Sequence, residues 1–157
     1  MARWQEIVDA APEFAAQVAL VFDAHKHKVI ATLRRDGAPR VSGNEARFLD
    51  GELLIGMMPR SVKAYDLLRD PRMAIHSATV DAELTEGDAK ISGRVGEVPD
   101  GVFKTHYLEV QGDPGGPFHL FRVDIEEVAL TRIGSPADHL VIESWHPGRG
   151  LESTPRY

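Results

Sequence analysis

The densest run of chemically useful side chains lies between Met57 and Ile75, reading Met-Met-Pro-Arg-Ser-Val-Lys-Ala-Tyr-Asp-Leu-Leu-Arg-Asp-Pro-Arg-Met-Ala-Ile. Pro59 ends whatever strand precedes it. Ser61 is a good N-cap for a helix running to Arg69, because its hydroxyl can accept one of the unpaired N–H groups of the first turn, and Asp70-Pro71 stops that helix. Arg60 and Lys63 flank the start. Free N–H groups, the positive end of the helix dipole, a hydroxyl and two cations together favour a small anion, a monophosphate in outline. Taken alone, the same residues also describe an ordinary capped helix with two solvated cations.

Few other reactive constellations compete. With no cysteine in 157 residues there is no disulfide framework, thiolate metal site or cysteine nucleophile, so redox chemistry requires a cofactor. His25 and His27 are two residues apart and could share a metal, but no carboxylate or cysteine motif completes a usual ligand set. The glycine-rich stretch 112–117 lacks the Lys-Ser/Thr of a nucleotide-binding loop. Ser42-Gly43 and Ser92-Gly93 do not form a nucleophile elbow. Met57 and Met58 read most simply as packing at a strand end, although soft side chains also suit the edge of a flat ring. The chain carries 18 Lys and Arg against 24 Asp and Glu, a net charge of −6, which makes it a poor partner for nucleic acid.

The elements that must position the Met57–Ile75 segment follow from hydrophobic spacing. Trp4, Ile7 and Val8, then Phe14, Val18 and Val21, recur at helical intervals on either side of Pro12, predicting two short helices over about 3–24. Residues 29–33 read as a strand ending in the hairpin signal Asp36-Gly37. A second strand runs from Pro39 to Phe48, and Asp50-Gly51 leads into a third over 52–57, giving a three-strand meander. Further strands are expected at 73–76, 89–95, 118–123, 128–133 and 139–145, with a short helix over 102–110. The tail from Pro147 shows no core pattern. Short strands with close turns favour a mainly β fold, a β-barrel with peripheral helices, since closure removes exposed sheet edges. The expected plan is a single domain over 1–157: helices at about 3–24, barrel at about 27–146, tail at 147–157. No window is apolar enough for a membrane-spanning helix, and no signal-peptide pattern opens the sequence, so a cytoplasmic location is expected.

Ser61-Val62-Lys63-Ala64-Tyr65-Asp66-Leu67-Leu68-Arg69-Asp70-Pro71-Arg72 resembles the phosphate-binding segment of the pyridoxamine 5′-phosphate oxidase-like superfamily, the FMN-binding split β-barrels. The resemblance implies that Ser61 and Lys63 hold the FMN phosphate, with Arg60 placed to add a third contact. It also implies that the strand carrying Arg40 lies along the flavin, and that backbone groups near Met57 and Met58 bond the ring edge. Glu143-Ser144-Trp145 with Arg149 is similar to the family's C-terminal strand, whose Trp and Arg approach the flavin from a second subunit; Arg156 is a further candidate. The Arg-Leu-His ending of the pyridoxamine oxidases themselves is absent, and Asn44 and Glu45 stand where they carry a basic residue.

What the resemblance implies is a homodimer with FMN at its interface, acting as an oxidoreductase that moves hydride to or from a small organic substrate. Two alternatives stand beside it. Met58-Pro59-Arg60 also fits relatives that use the deazaflavin F420, for which Arg34, Arg35 and Arg40 would offer a basic groove. A non-catalytic flavin- or haem-binding module would use the same barrel.

Overall fold

A computed structural model describes residues 1–157. Two helices open the chain, α1 (Trp4–Ala10) and α2 (Pro12–Asp23). Pro12 occupies the first turn of α2, where its missing N–H costs nothing. Trp4, Ile7, Phe14, Ala15, Val18, Val21 and Phe22 are buried, and Phe48 receives two of them, stacking on Trp4 at 4.2 Å and meeting Phe22 edge-on at 5.9 Å. Each such fully buried side chain contributes about 1.5–3 kcal/mol by leaving water.

Nine strands follow: β1 (His27–Leu33), β2 (Pro39–Glu45), β3 (Arg47–Leu49), β4 (Glu52–Met57), β5 (Arg72–His76), β6 (Asp88–Glu97), β7 (His119–Ile133), β8 (Leu140–His146) and β9 (Gly150–Arg156). Helix α3 (Val62–Arg69) joins β4 to β5, and α4 (Val102–Gln111) joins β6 to β7. All pairings are antiparallel, in the order β2-β1-β5-β6-β7-β4-β3. Both sequence-level hairpin signals form turns, and at the second, Asp50 and Gly51 take φ of 51° and 76°, the positive pair that a tight two-residue hairpin requires.

The expected meander is corrected. β2 and β3 are separated only by Ala46, yet they stand at opposite ends of the pairing order. The chain therefore bends the sheet back on itself, and Asn44 bridges the seam by donating from Nδ2 to the Gly56 carbonyl of β4 at 3.0 Å.

A second correction concerns 118–133, expected as two strands and found as one. β7 is a single 15-residue strand with a bulge opposite Ser92 and Gly93 of β6, where the paired residues pass from Glu127 to Ile125. Along its other edge, β4 takes 119–122 and β8 takes 128–133. The edge between them is filled by Ala2, whose N–H and C=O both bond Ile125 at 2.8 Å. Thus β7 is shared between the barrel and the C-terminal hairpin, and the fold is a split barrel.

The third correction is the tail. Residues 150–156 form β9, paired along its whole length with β8. Almost every β9 side chain is exposed, which is why no hydrophobic alternation marks it. No helix of the structure is long and apolar enough to cross a membrane.

Candidate functional site

The β4–α3 junction is built as the residue types require. β4 is buried up to Met57, while Met58, Pro59 and Arg60 emerge into solvent. Ser61 takes extended dihedrals (φ −67°, ψ 139°) and its Oγ accepts the Ala64 N–H at 3.3 Å, capping α3. Lys63, in the first turn, reaches back to β2 and donates from Nζ to the Gly43 carbonyl at 2.5 Å. Burial pushes the Lys63 ammonium below its ordinary value, and no acidic side chain offsets that effect. A half-buried cation without a carboxylate, beside a helix N-terminus, is a position an anion would stabilise.

What holds this junction against the barrel is Asp66, one turn further along α3. Its carboxylate is buried and accepts from Thr32 Oγ1 at 2.8 Å, Arg40 Nε at 2.7 Å and Arg69 Nη2 at 3.1 Å. Arg69 also donates to the Leu33 carbonyl at 2.6 Å. Burial alone would raise the Asp66 pKa; the hydrogen bonds from Arg40, Thr32 and Arg69 outweigh it and hold the carboxyl below its usual range. The cluster ties α3 to both arms of the β1–β2 hairpin. At the helix exit Asp70 pairs with Arg72 at 2.7 Å, which pulls the Asp70 carboxyl down to about 2.

The candidates named from sequence divide into groups. Arg60, Ser61 and Lys63 come together at the helix start, with Met57 and Met58 directly before them; Met57 packs inside the core, and Met58 is 77% exposed. Arg40 reaches the underside of the same helix, but its Nε is committed to Asp66. Trp145, expected against the flavin of a second subunit, packs in the large core of its own chain, opposite Val128 of β7, with Nε1 buried and unpartnered. Arg149 is exposed at the turn between β8 and β9. His25 lies in the connection between α2 and β1 and His27 opens β1, and no three metal-ligating side chains cluster anywhere in the chain.

Two residues that matter here carry no local sequence signal. Asp66 looks like any helix-face acid until the fold brings Arg40 to it across 26 positions. His119 opens β7 directly opposite Met57. Its Nδ1 lies 2.7 Å from Glu97 Oε1 and its Nε2 lies 3.2 Å from the Pro59 carbonyl, so it buttresses the turn before Ser61.

The donor set therefore fits a phosphate-bearing group at the start of α3: two cations, a hydroxyl and helix N–H groups, with Lys63 already partly desolvated. In comparison with known proteins, the family described as Pyridoxamine 5′-phosphate oxidase matches residues 14–132. No curated protein sequence matches the chain. Among solved structures, the chain is similar to a pyridoxamine 5′-phosphate oxidase-related, FMN binding protein of Nostoc punctiforme PCC 73102, at 13% identity, covering 100% of this chain and 98% of that one with a TM-score of 0.60. PhzG of Burkholderia lata 383, in complex with tetrahydrophenazine-1-carboxylic acid, is similar at 14% identity, 97% and 87% coverage and a TM-score of 0.61. HutZ, the heme storage protein of Vibrio cholerae, is similar at 17% identity, 74% and 90% coverage and a TM-score of 0.58.

Proposed function

Since this chain belongs to the pyridoxamine 5′-phosphate oxidase family, we propose that it is a flavin-dependent oxidoreductase that grips the phosphate of FMN at the start of α3. The observation that carries this reading is Lys63, a cation held partly out of water, bonded only to a backbone carbonyl and paired with no acid. A phosphate there would offset its desolvation, with Ser61 and Arg60 supplying further hydrogen bonds. Bound FMN would supply hydride acceptance or release, chemistry that no side chain of this protein performs.

The residues of the chain position and exclude. The Asp66 network fixes the angle of α3, and hence where Ser61 and Lys63 stand. Arg40, held by the same carboxylate, adds positive charge beneath the helix. The exposed apolar side chains Val62, Tyr65 and Leu68 on α3, with Met58 just before the helix, leave an apolar face beside the site that a second copy of the chain would bury. We read the homodimer from that surface. In it Arg149, at the exposed β8–β9 turn, is available to the partner's ligand, whereas Trp145 supports the hairpin from within its own core.

The test is the absorption spectrum of the purified protein, followed by titration with FMN, with F420 and with haem. Saturable FMN binding supports the reading. Exclusive F420 binding moves the protein to the deazaflavin branch, and exclusive haem binding moves it to the function named for HutZ.

A further inference from the structure

His119 makes two contacts that a neutral imidazole cannot satisfy together. Its Nε2 faces the Pro59 carbonyl at 3.2 Å and its Nδ1 faces the Glu97 carboxylate at 2.7 Å. Both partners are acceptors, so both ring nitrogens must carry a proton, and a neutral ring carries only one. The imidazolium makes both bonds, one of them charge-assisted. The ring is stacked on Phe121 at 6.0 Å, and its side chain is 21% exposed.

We propose that His119 is a protonation-dependent positioning residue, a latch between Glu97 and Pro59 that fixes the Met58–Ser61 turn and so sets how tightly the phosphate of the cofactor is held. The proposal rests on the phosphate site assigned above and adds its regulation. The link from latch to site is short. Pro59 is two residues before the cap Ser61, and the Ser61 N–H bonds the Met58 carbonyl at 3.2 Å across the same turn. His119 is also fixed at its root by pairing with Met57, the last residue of β4.

The charged groups around the ring favour the same assignment. Glu97 comes from β6. From α4 and the segment before it come Lys104 and Asp100, which share with His119 the wall of a cavity of about 620 Å³. Those two pair with each other at 2.9 Å, and Lys104 also donates to the Phe118 carbonyl at 2.8 Å. Arg60 follows Pro59 on the turn itself and is exposed. Glu97 is therefore the acid committed to His119. When the ring loses one proton it has a single N–H for two acceptors, so one of the two bonds is lost and the turn is released.

The test is FMN affinity from pH 5.5 to 8.5 for the unaltered chain, His119→Ala and Glu97→Gln. The phosphate of FMN titrates near pH 6, so each variant is read as a ratio to the unaltered chain at the same pH. His119→Ala should bind about three- to tenfold more weakly at low pH, the equivalent of one hydrogen bond, and converge on the unaltered chain at high pH. Glu97→Gln keeps a partner that can either donate or accept, so a neutral His119 still makes both contacts. It should hold its affinity at high pH, where the unaltered chain loses it. A His119→Ala ratio that is constant across the range, with FMN still bound, overturns the latch alone. No FMN binding by the unaltered chain at any pH overturns the cofactor reading and the latch with it.

Discussion

Asp66→Ala is the perturbation that probes how the site is held. The carboxylate is only 3% exposed, and it gathers Thr32, Arg40 and Arg69 within 3.1 Å. A hydrogen bond to a charged group contributes about 1.5–3 kcal/mol, and removing one partner of a buried ion pair costs about 3–5 kcal/mol. Arg40 and Arg69 are 22% and 31% exposed, so both recover part of their hydration when the carboxylate goes. The cost is therefore placed at the lower end, at about 3 kcal/mol. For a chain of this length that lowers Tm by roughly 6–12 °C, measured by circular dichroism at pH 7. Because the same network orients the first turn of α3, FMN affinity should also fall at temperatures where the variant is fully folded. A Tm within 2 °C of the unaltered chain would refute the claim that Asp66 anchors the helix.

Four further outcomes follow from particular residues. The Asp66 pKa is depressed on folding, so its stabilisation is present above the ordinary carboxylate range and is lost as pH falls through the folded value; Asp66→Asn should flatten that part of the decline in Tm below about pH 4. Gly93→Ala would put a Cβ against the Asp124 carbonyl inside the β6–β7 bulge, where backbone must move, and should lower Tm by roughly 2–12 °C, on the order of a strained core substitution. Tyr65→Glu places a charge on the uncovered α3 face and should shift the protein from dimer to monomer in light scattering coupled to gel filtration. Trp145→Phe keeps the core position but removes a buried N–H without a partner, so it should change Tm by less than about 4 °C, the equivalent of about 1 kcal/mol for a chain of this length, and leave FMN affinity unchanged.

The sequence is most legible where structure is local. The helix over 62–69 with its Ser61 cap, the Pro12 helix start and the two Gly hairpins all depend on neighbours within a few positions, and each stands where the spacing places it. The seam of the barrel is not local. Nothing marks Ala46 as the point where a strand leaves one end of the sheet for the other, because neither Gly nor Pro is needed for that bend. The unity of β7 is hidden for a related reason: the bulge interrupts its alternation at Glu126-Glu127, which reads as a break between strands. β9 is paired through backbone alone, so its exposed Glu152, Ser153 and Thr154 give no period. At the site, the helix-start cations Arg60 and Lys63 were visible as types, whereas the Arg40–Asp66 and His119–Pro59 contacts join positions 26 and 60 residues apart. Trp145 shows the converse, since its aromatic type suits a ligand wall equally well and only the fold places it in the core.

The central claim is that the start of α3 is a phosphate site, and the most direct measurement compares FMN with riboflavin, which lacks the phosphate, by quenching of flavin fluorescence in the unaltered chain and in Lys63→Ala. The unaltered chain should prefer FMN over riboflavin by at least about tenfold, the strength of one charge-assisted hydrogen bond, and Lys63→Ala should lose most of that preference while its affinity for riboflavin stays the same. Equal affinity for FMN and riboflavin in the unaltered chain, or a preference untouched by Lys63→Ala, would contradict it.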